Sequence, residues 1–319
     1  MAMKRLVSLY FFLSMVAIQC CIAQAEPQWS HYMYNRQLFN PAVAGSKDAV
    51  EFNLVYRTQY VGLSDKTTST QAFGVNLPIY AISSGIGLTV VNDLIGYMRT
   101  TAININYDYR HKFSFGALGV GVGVGIIQTG LEGDKLRTPD GGIGGSQIDP
   151  KVPSTPQNGV APDIAVGIYL NSERYMAGIA INHLYSYTKL GNTTIGYARN
   201  MGIMGGYDFR IGKHFRIMPS ALIKTDFKEV QTDLSFTMHI YDNIMTGLAF
   251  RGYDAHSLDA VIIYAGFKYR AFKLVYSYDI NTSYLHSFNT GSHEISVGYD
   301  LKMKKRVRTG YFYHNSRFL

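Results

Sequence analysis

Charge is scarce in this sequence. Asp, Glu, Lys and Arg make up 16% of its 319 residues, against roughly a quarter in an ordinary soluble chain. Cysteine is scarcer still, and both residues, Cys20 and Cys21, fall in the first 25 positions. That stretch reads as a secretory signal peptide: Lys4 and Arg5 form the positive start, residues 6–18 the apolar stretch, and Ala23-Gln24-Ala25 the small-residue exit. An anchoring helix is the weaker reading because of these flanks, and a lipoprotein anchor because Gln19 and Cys20 poorly precede a lipidated cysteine. The exported chain then has no thiol, which excludes a disulfide framework, a thiolate zinc site and a Cys nucleophile. Beyond residue 25 there is also no run of eighteen apolar residues, so no helix of the usual kind crosses a membrane.

What is abundant is tyrosine, at 25, and glycine, at 32, with a mean hydropathy of −0.02. Such a balance fits a chain in which apolar and polar residues alternate, the pattern of a transmembrane β-barrel. Ile103, Ile105, Tyr107 and Tyr109 fall on one side of a strand, with Asn104, Asn106, Asp108 and Arg110 on the other. Ile295, Val297, Tyr299 and Leu301 likewise oppose Glu294, Ser296, Gly298 and Asp300. Read from end to end, the alternation predicts an all-β, antiparallel barrel of about fourteen strands. They lie near 48–58, 67–77, 83–92, 100–111, 116–129, 160–170 and 174–183 in the first half. In the second half they lie near 197–211, 214–226, 231–240, 244–252, 257–269, 271–281 and 291–302. Most have the 9–11 residues that a tilted crossing needs. Connections after even strands are short and those after odd strands mostly longer, the longest being 130–159. This fits short periplasmic turns, long external loops, and both termini in the periplasm.

Three local features are less regular. Pro219 interrupts a strand and predicts a bulge. Residues 258–270 are apolar on both faces, which leaves their register open. Gly119, Gly121, Gly123 and Gly125 alternate with Val120, Val122, Val124 and Ile126. With the branched residues facing lipid, these glycines leave a groove in the inner wall, serving either strand curvature or the accommodation of a plug.

No HExxH, GxSxG, P-loop or dinucleotide glycine motif is present. His183, His256 and His286 fall near predicted external loops, but nine histidines scatter this way by chance, and rim or girdle positions account for His183 and His286. Asp134, Asp140 and Asp149 lack the spacing of a calcium loop. No catalytic residue, cofactor or metal is assigned. The charge is uneven: residues 303–319 carry +5 of the formal +8, through Lys304, Lys305, Arg306, Arg308 and Arg317. This tail is either solvated, set against lipid headgroups, or a dock for an acidic periplasmic partner. Nucleic acid is not a partner for an exported barrel.

The segment after the signal reads Gln28-Trp29-Ser30-His31-Tyr32-Met33-Tyr34-Asn35, then Asn40-Pro41-Ala42-Val43-Ala44-Gly45-Ser46. It resembles the opening of the PorP/SprF family of type IX secretion outer-membrane proteins, Q-aromatic-S-x-Y-M-x-N followed by N-P-A-x-A-G. Tyr56-Arg57-x-Gln59-x-x-Gly62 is similar to the family's Y-R-x-Q-W-x-G, with Tyr60 in place of Trp. Asn92-Asp93-x-Ile95-Gly96, Gly291-Ser292-His293-Glu294-Ile295 and the closing Ser316-Arg317-Phe318-Leu319 extend the resemblance over most of the chain. Ser296-x-Gly298-x-x-Leu301-x-Met303 is also similar to the assembly signal of outer-membrane barrels. The resemblance implies a non-enzymatic barrel of the type IX secretion or gliding machinery. It would anchor secreted proteins with C-terminal sorting domains, or adhesins, to a periplasmic ring lipoprotein and its partner subunit. Candidate partner-binding residues are Tyr32, Asn35, Asn40, Pro41, Arg57, Gln59, His293 and Glu294, with Lys304, Lys305, Arg306 and Arg308 of the tail. The expected organisation is a signal peptide (1–25), a periplasmic or lumen segment (26–47), a barrel in outer-membrane lipid (48–302) and a basic periplasmic tail (303–319). The alternative function is a transporter of small or hydrophobic compounds with an N-terminal plug.

Overall fold

The computed structural model describes residues 26–63, 68–136, 155–190, 193–253, 257–282 and 284–303. Residues 1–25, expected to be a signal peptide, the tail residues Lys304, Lys305, Arg306 and Arg308, most of the longest loop with Asp140 and Asp149, and His256 lie outside them.

Strands β1 (Ala49–Gln59), β2 (Thr68–Ile79), β3 (Ser84–Ile95), β4 (Met98–Phe113) and β5 (Gly116–Leu131) form successive hairpins. The wall continues with β6 (Gln157–Asn171) and β7 (Tyr175–Asn182), while β8 (Tyr187–Leu190) and β9 (Thr193–Gly196) make a separate hairpin. One further stave is divided into β10 (Asn200–Tyr207) and β11 (Phe209–Ile211). Then follow β12 (Phe215–Thr225), β13 (Val230–Ile240), β14 (Ile244–Tyr253), β15 (Ser257–Tyr269), β16 (Phe272–Asn281) and β17 (Ser292–Lys302). Pairing is antiparallel throughout, and β17 returns to β1, so the sheet closes. Counting β10 and β11 as one, fourteen staves form the barrel.

The alternation read from the sequence is the alternation of the wall. Ile105 is 60% exposed on the outer face, whereas Asn106 and Asp108 are buried inside. In lipid every strand group must find its partner within the sheet, which closure provides. Connections following even staves span two to four residues, as at 114–115 and 241–243. At the latter, Tyr241 and Asp242 both take positive φ, 52° and 59°. We call this the tight-turn end and the other the loop end. Three odd connections are no longer than these: 226–229, 254–256, and residues 96–97 alone between β3 and β4, where Gly96 at φ 59° makes the turn.

Other expectations are corrected. Pro219 causes no bulge, since β12 stays in continuous register with β13 through Pro219 and Phe236. The consequence falls on its other neighbour, where pairing stops between Gly206–Ser220 and Phe209–Ile217. A proline has no N–H to give there, while on its other edge the same stave keeps its pairing with β7, Asp208 donating its backbone N–H to the Arg174 carbonyl at 2.6 Å. The shift in register lies elsewhere, between Arg251 and Gly252 against β15. In β15 the ambiguity of face is resolved: Ile262 and Tyr264 are buried inside, and Leu258 and Ile263 face outward. The β8–β9 hairpin was not foreseen; Thr188 ties it to β6 by donating to the Val160 carbonyl at 3.0 Å.

The two ends of the described chain also lie apart. An even number of staves brings the start of β1 and the end of β17 to the tight-turn end, where Ala49 faces Lys302. Glu26, however, sits beside His183 at the loop end, because residues 26–46 cross the lumen once before β1 begins.

A charge on the lipid face near mid-strand is penalised by the loss of solvation. Val122→Arg should therefore destabilise the barrel by about 2–4 kcal/mol in bilayers, read as a lower urea midpoint of unfolding from vesicles.

Candidate functional site: the filled lumen

Around eight strands, inward side chains suffice to fill a barrel; fourteen leave a gap. Here residues 26–46 occupy it, with Trp29, Tyr32, Met33, Phe39, Ala42, Val43 and Ala44 all buried. The segment is compact because its backbone turns on itself: Tyr34 and Asn35 donate to the His31 carbonyl, and short 3-10 turns follow at Arg36–Leu38 and Pro41–Val43.

Near the loop end the segment meets a buried charge cluster. Arg57 of β1 donates to Asp279 of β16 at 2.8 Å and to Glu294 of β17 at 3.3 Å. Arg251 of β14 donates to Asp233 of β13 at 2.7 Å and again to Asp279 at 3.3 Å. Two cations thus face three carboxylates. The remaining acceptor capacity is met by the segment itself, since the backbone N–H groups of Ser30 and His31 donate to Glu294 at 2.7 and 3.0 Å. The Ser30 hydroxyl accepts from Arg57 and donates to Asp279, both at 2.7 Å. Arg251 closes the arrangement on the Trp29 carbonyl at 3.1 Å. Burial holds the His31 imidazole below its ordinary pKa despite the adjacent Glu294. Its Nδ1 lies 2.8 Å from Ser296 Oγ and 3.2 Å from Glu294 Oε1.

Farther down, the Tyr32 hydroxyl donates to the Ser220 carbonyl at 2.9 Å, and Arg36 donates to the Tyr169 hydroxyl at 2.9 Å. Asn40 then caps the second 3-10 turn, its side chain accepting from the Ala42 N–H at 2.9 Å with Pro41 as first residue. Asn40 also donates to the Ile168 carbonyl at 3.0 Å. Ala42 lies on the glycine stripe so closely that a Cβ on Gly121 would stand 2.4 Å from its Cα. The carbonyl of Ala44 approaches Gly85 in the same manner, at 2.1 Å from a built Cβ. Gly45, at φ 61°, turns the chain beside Gly85. Arg110 fixes this exit by donating to the carbonyls of Gly45 and Ala44 at 2.6 and 2.8 Å, held in turn by Asp108.

At the loop end, His183 lies between Asp163 at 2.9 Å and Glu26 at 3.3 Å. Burial opposes its charge, but the two carboxylates outweigh burial and raise the imidazole pKa to about 10. At this end of the barrel it tethers the start of the segment.

The sequence profile described as "Type IX secretion system membrane protein PorP/SprF" matches residues 21–299. The chain belongs to the PorP/SprF family. It is accordingly an outer-membrane barrel of type IX secretion. No curated protein matches it in sequence. Among solved structures, the P. putida toluene transporter TodX is similar at TM-score 0.49 and 9% identity, over 85% of this chain and 95% of that one. The Ralstonia pickettii toluene transporter TbuX gives 0.48 and 8%, over 84% and 93%. A Pseudomonas aeruginosa FadL homologue gives 0.45 and 11%, over 87% and 95%. At these values the likeness goes no further than barrel architecture.

In this PorP/SprF barrel the candidate residues do not form one surface. Tyr32, Asn35, Asn40 and Pro41 face the lumen wall, and Asn35 lies 3.3 Å from Ser296 Oγ. Arg57 and Glu294 belong to the charge cluster, and the Gln59 amide lies 3.1 Å from that of Gln28. All of these are spent on contacts within the chain. His293 alternates to the opposite face from Glu294, where its ring meets the Tyr276 hydroxyl at 2.7 Å. Sequence reading missed Arg251, Asp233, Asp279 and Arg110 as members of the site. A usable signal existed: each is a charge at an inward position of a strand, where polar but uncharged residues would satisfy the pattern.

Two outcomes follow from this packing. Gly121→Ala should dislodge residues 40–46, raising conductance in planar bilayers and exposing that stretch to protease. Gly202→Ala, whose Cβ meets nothing within 4 Å, should do neither. A raised histidine pKa contributes stability that is complete below the unfolded value of 6.5 and disappears as pH rises through about 10. The thermal-stability difference between the native chain and His183→Gln should therefore be constant below pH 6.5 and fade across that window.

Proposed function

We propose that the chain is a non-enzymatic adaptor of the type IX secretion or gliding machinery. It links secreted proteins carrying sorting domains, or adhesins, to the periplasmic ring lipoprotein and its partner subunit. The observation that carries this reading is the filled lumen: a segment bonded to the wall at the loop end, the middle and the tight-turn end favours holding over conduction. We place the tight-turn end in the periplasm, where the basic tail 303–319 would meet the ring, and the loop end outside, where cargo would meet the long loops. On this orientation Glu26 lies on the external side of the plug.

The second reading, a transporter, has its own support. A cavity of about 300 Å³ lies beside the segment, lined by Trp29, Leu38, Phe39, Val91 and Ile127 and reaching Met98 and Tyr197 toward the loop end. An apolar pocket with a few polar groups is the usual form of a small-molecule site.

Mild extraction of a tagged copy from native outer membranes, with mass spectrometry of what co-purifies, separates the two. The adaptor requires ring subunits or sorting-domain cargo in near-stoichiometric yield, lost when Lys304, Lys305, Arg306 and Arg308 are replaced by Gln or residues 26–46 are deleted. A solitary barrel that takes up apolar compounds would establish the transporter instead.

A further inference from the structure

The tight-turn half of the lumen has a charge pattern that neither reading uses. A cavity of about 460 Å³ there is lined by Arg36, Lys47, Arg216, Lys268 and Lys273, with Glu51, Asp242 and Asp300 as its carboxylates. We propose that it is a binding site for an oxyanion of the phosphate or carboxylate class.

Register makes the case. Lys268 and Lys273 stand directly opposite each other across β15 and β16, and Arg216 stands opposite His239 across β12 and β13. Like charges at directly opposed positions oppose sheet pairing, so a lysine pair pointing inward calls for a counter-charge. The resident carboxylates are largely committed: Glu51 is paired with Lys47, and Asp242 with Arg216 at 2.8 Å, an arginine that Asp208 also holds at 3.0 Å. Asp300 is left to offset Arg36, Lys268 and Lys273. Arg36 donates to the Met33 carbonyl and the Tyr169 hydroxyl, which are both neutral. The Lys273 ammonium lies 4.8 Å from the centre of the Tyr34 ring.

An independent observation comes from His239. It is 8% exposed and lines the same cavity, and its Nε2 has no hydrogen-bond partner within the protein. A guanidinium fork and ammonium groups around one cavity suit an oxyanion, which accepts several charge-assisted hydrogen bonds at once. Ordinary solvation would explain scattered lysines, but not two of them in register beside an arginine contributed by a separate segment. Because Arg36 belongs to residues 26–46, an anion bound here would also join that segment to the wall.

The anion could be free in the surrounding compartment or be carried on an acidic peptide, and two probes distinguish these sources. Inorganic phosphate and a tetra-aspartate peptide are titrated calorimetrically into the full chain in detergent at low salt. The proposal expects saturable binding of at least one probe, weakened roughly tenfold or more in the Lys268→Gln/Lys273→Gln double variant. Lys213→Gln, a change in an exposed turn at the same end, should leave it unaltered. Binding of phosphate alone assigns a free oxyanion; peptide binding of equal or greater strength assigns a carboxylate-bearing segment. Absence of saturable binding by either probe, or unchanged affinity in the double variant, overturns the site. Should the double variant fail to fold, Arg36→Gln alters the same cluster without changing the wall and is read by the same criterion.

Discussion

Arg57 and Arg251 are each 1% exposed inside a wall whose outer face meets lipid. An arginine so placed is strongly destabilising unless its donors are paired, and breaking a buried pair costs about 3–5 kcal/mol. Asp233, Asp279 and Glu294 provide those pairs from three different strands, but they carry one more negative charge than the arginines offset. Ser30 and His31 supply the missing donors from outside the barrel wall. The closed sheet and the lumen segment are thus coupled electrostatically: without the segment the cluster is left with unsatisfied carboxylate oxygens, and without the cluster the segment loses its anchor at the loop end.

At the opposite end close shape complementarity adds to the hold of Arg110, itself paired with Asp108. The N-P-A-x-A-G stretch combines a cap at Asn40, a fixed first residue at Pro41, and alanines small enough to lie against strand backbone. Gly121 and Gly85 remove the side chains that would hold it away. The sequence left the purpose of the glycine stripe open between strand curvature and plug accommodation, and contact with Ala42 favours the second. Two motifs whose contacting residues, Ala42 and Gly121, stand 79 positions apart in the chain are therefore two halves of one packing surface.

The barrel was legible because lipid imposes a period of two with little tolerance, and nearly every stave lies within a few residues of its expected limits. Legibility failed where the lumen, not the lipid, sets the environment. Ile262 and Tyr264 break the polar-inside pattern because they face aromatic residues of the segment, as the 6.3 Å separation of the Tyr264 and His31 rings illustrates. Pro219 altered its neighbour instead of its own strand, an effect no single-strand reading can include. Glu294 and His293 were grouped because they are adjacent in a motif, yet adjacency in a strand sends them to opposite faces. The charge cluster remained hidden because its five members come from five strands, and only closure of the sheet brings them together.

The single crossing of the lumen by residues 26–46 also divides its interior into two unlike spaces. Toward the loop end the segment presents Trp29, Leu38 and Phe39, and the remaining cavity is largely apolar. Toward the tight-turn end it presents Arg36 and Tyr34, and the cavity is predominantly cationic. A uniform pore would carry the same chemistry along its axis. Here a partner or solute arriving from one side meets surfaces of a different kind from one arriving at the other, while the same 21 residues form a wall of both spaces. The contacts of that one segment extend from Glu294 at the loop end to Gly85 at the tight-turn end, so a single short stretch of chain sets the boundary of both spaces.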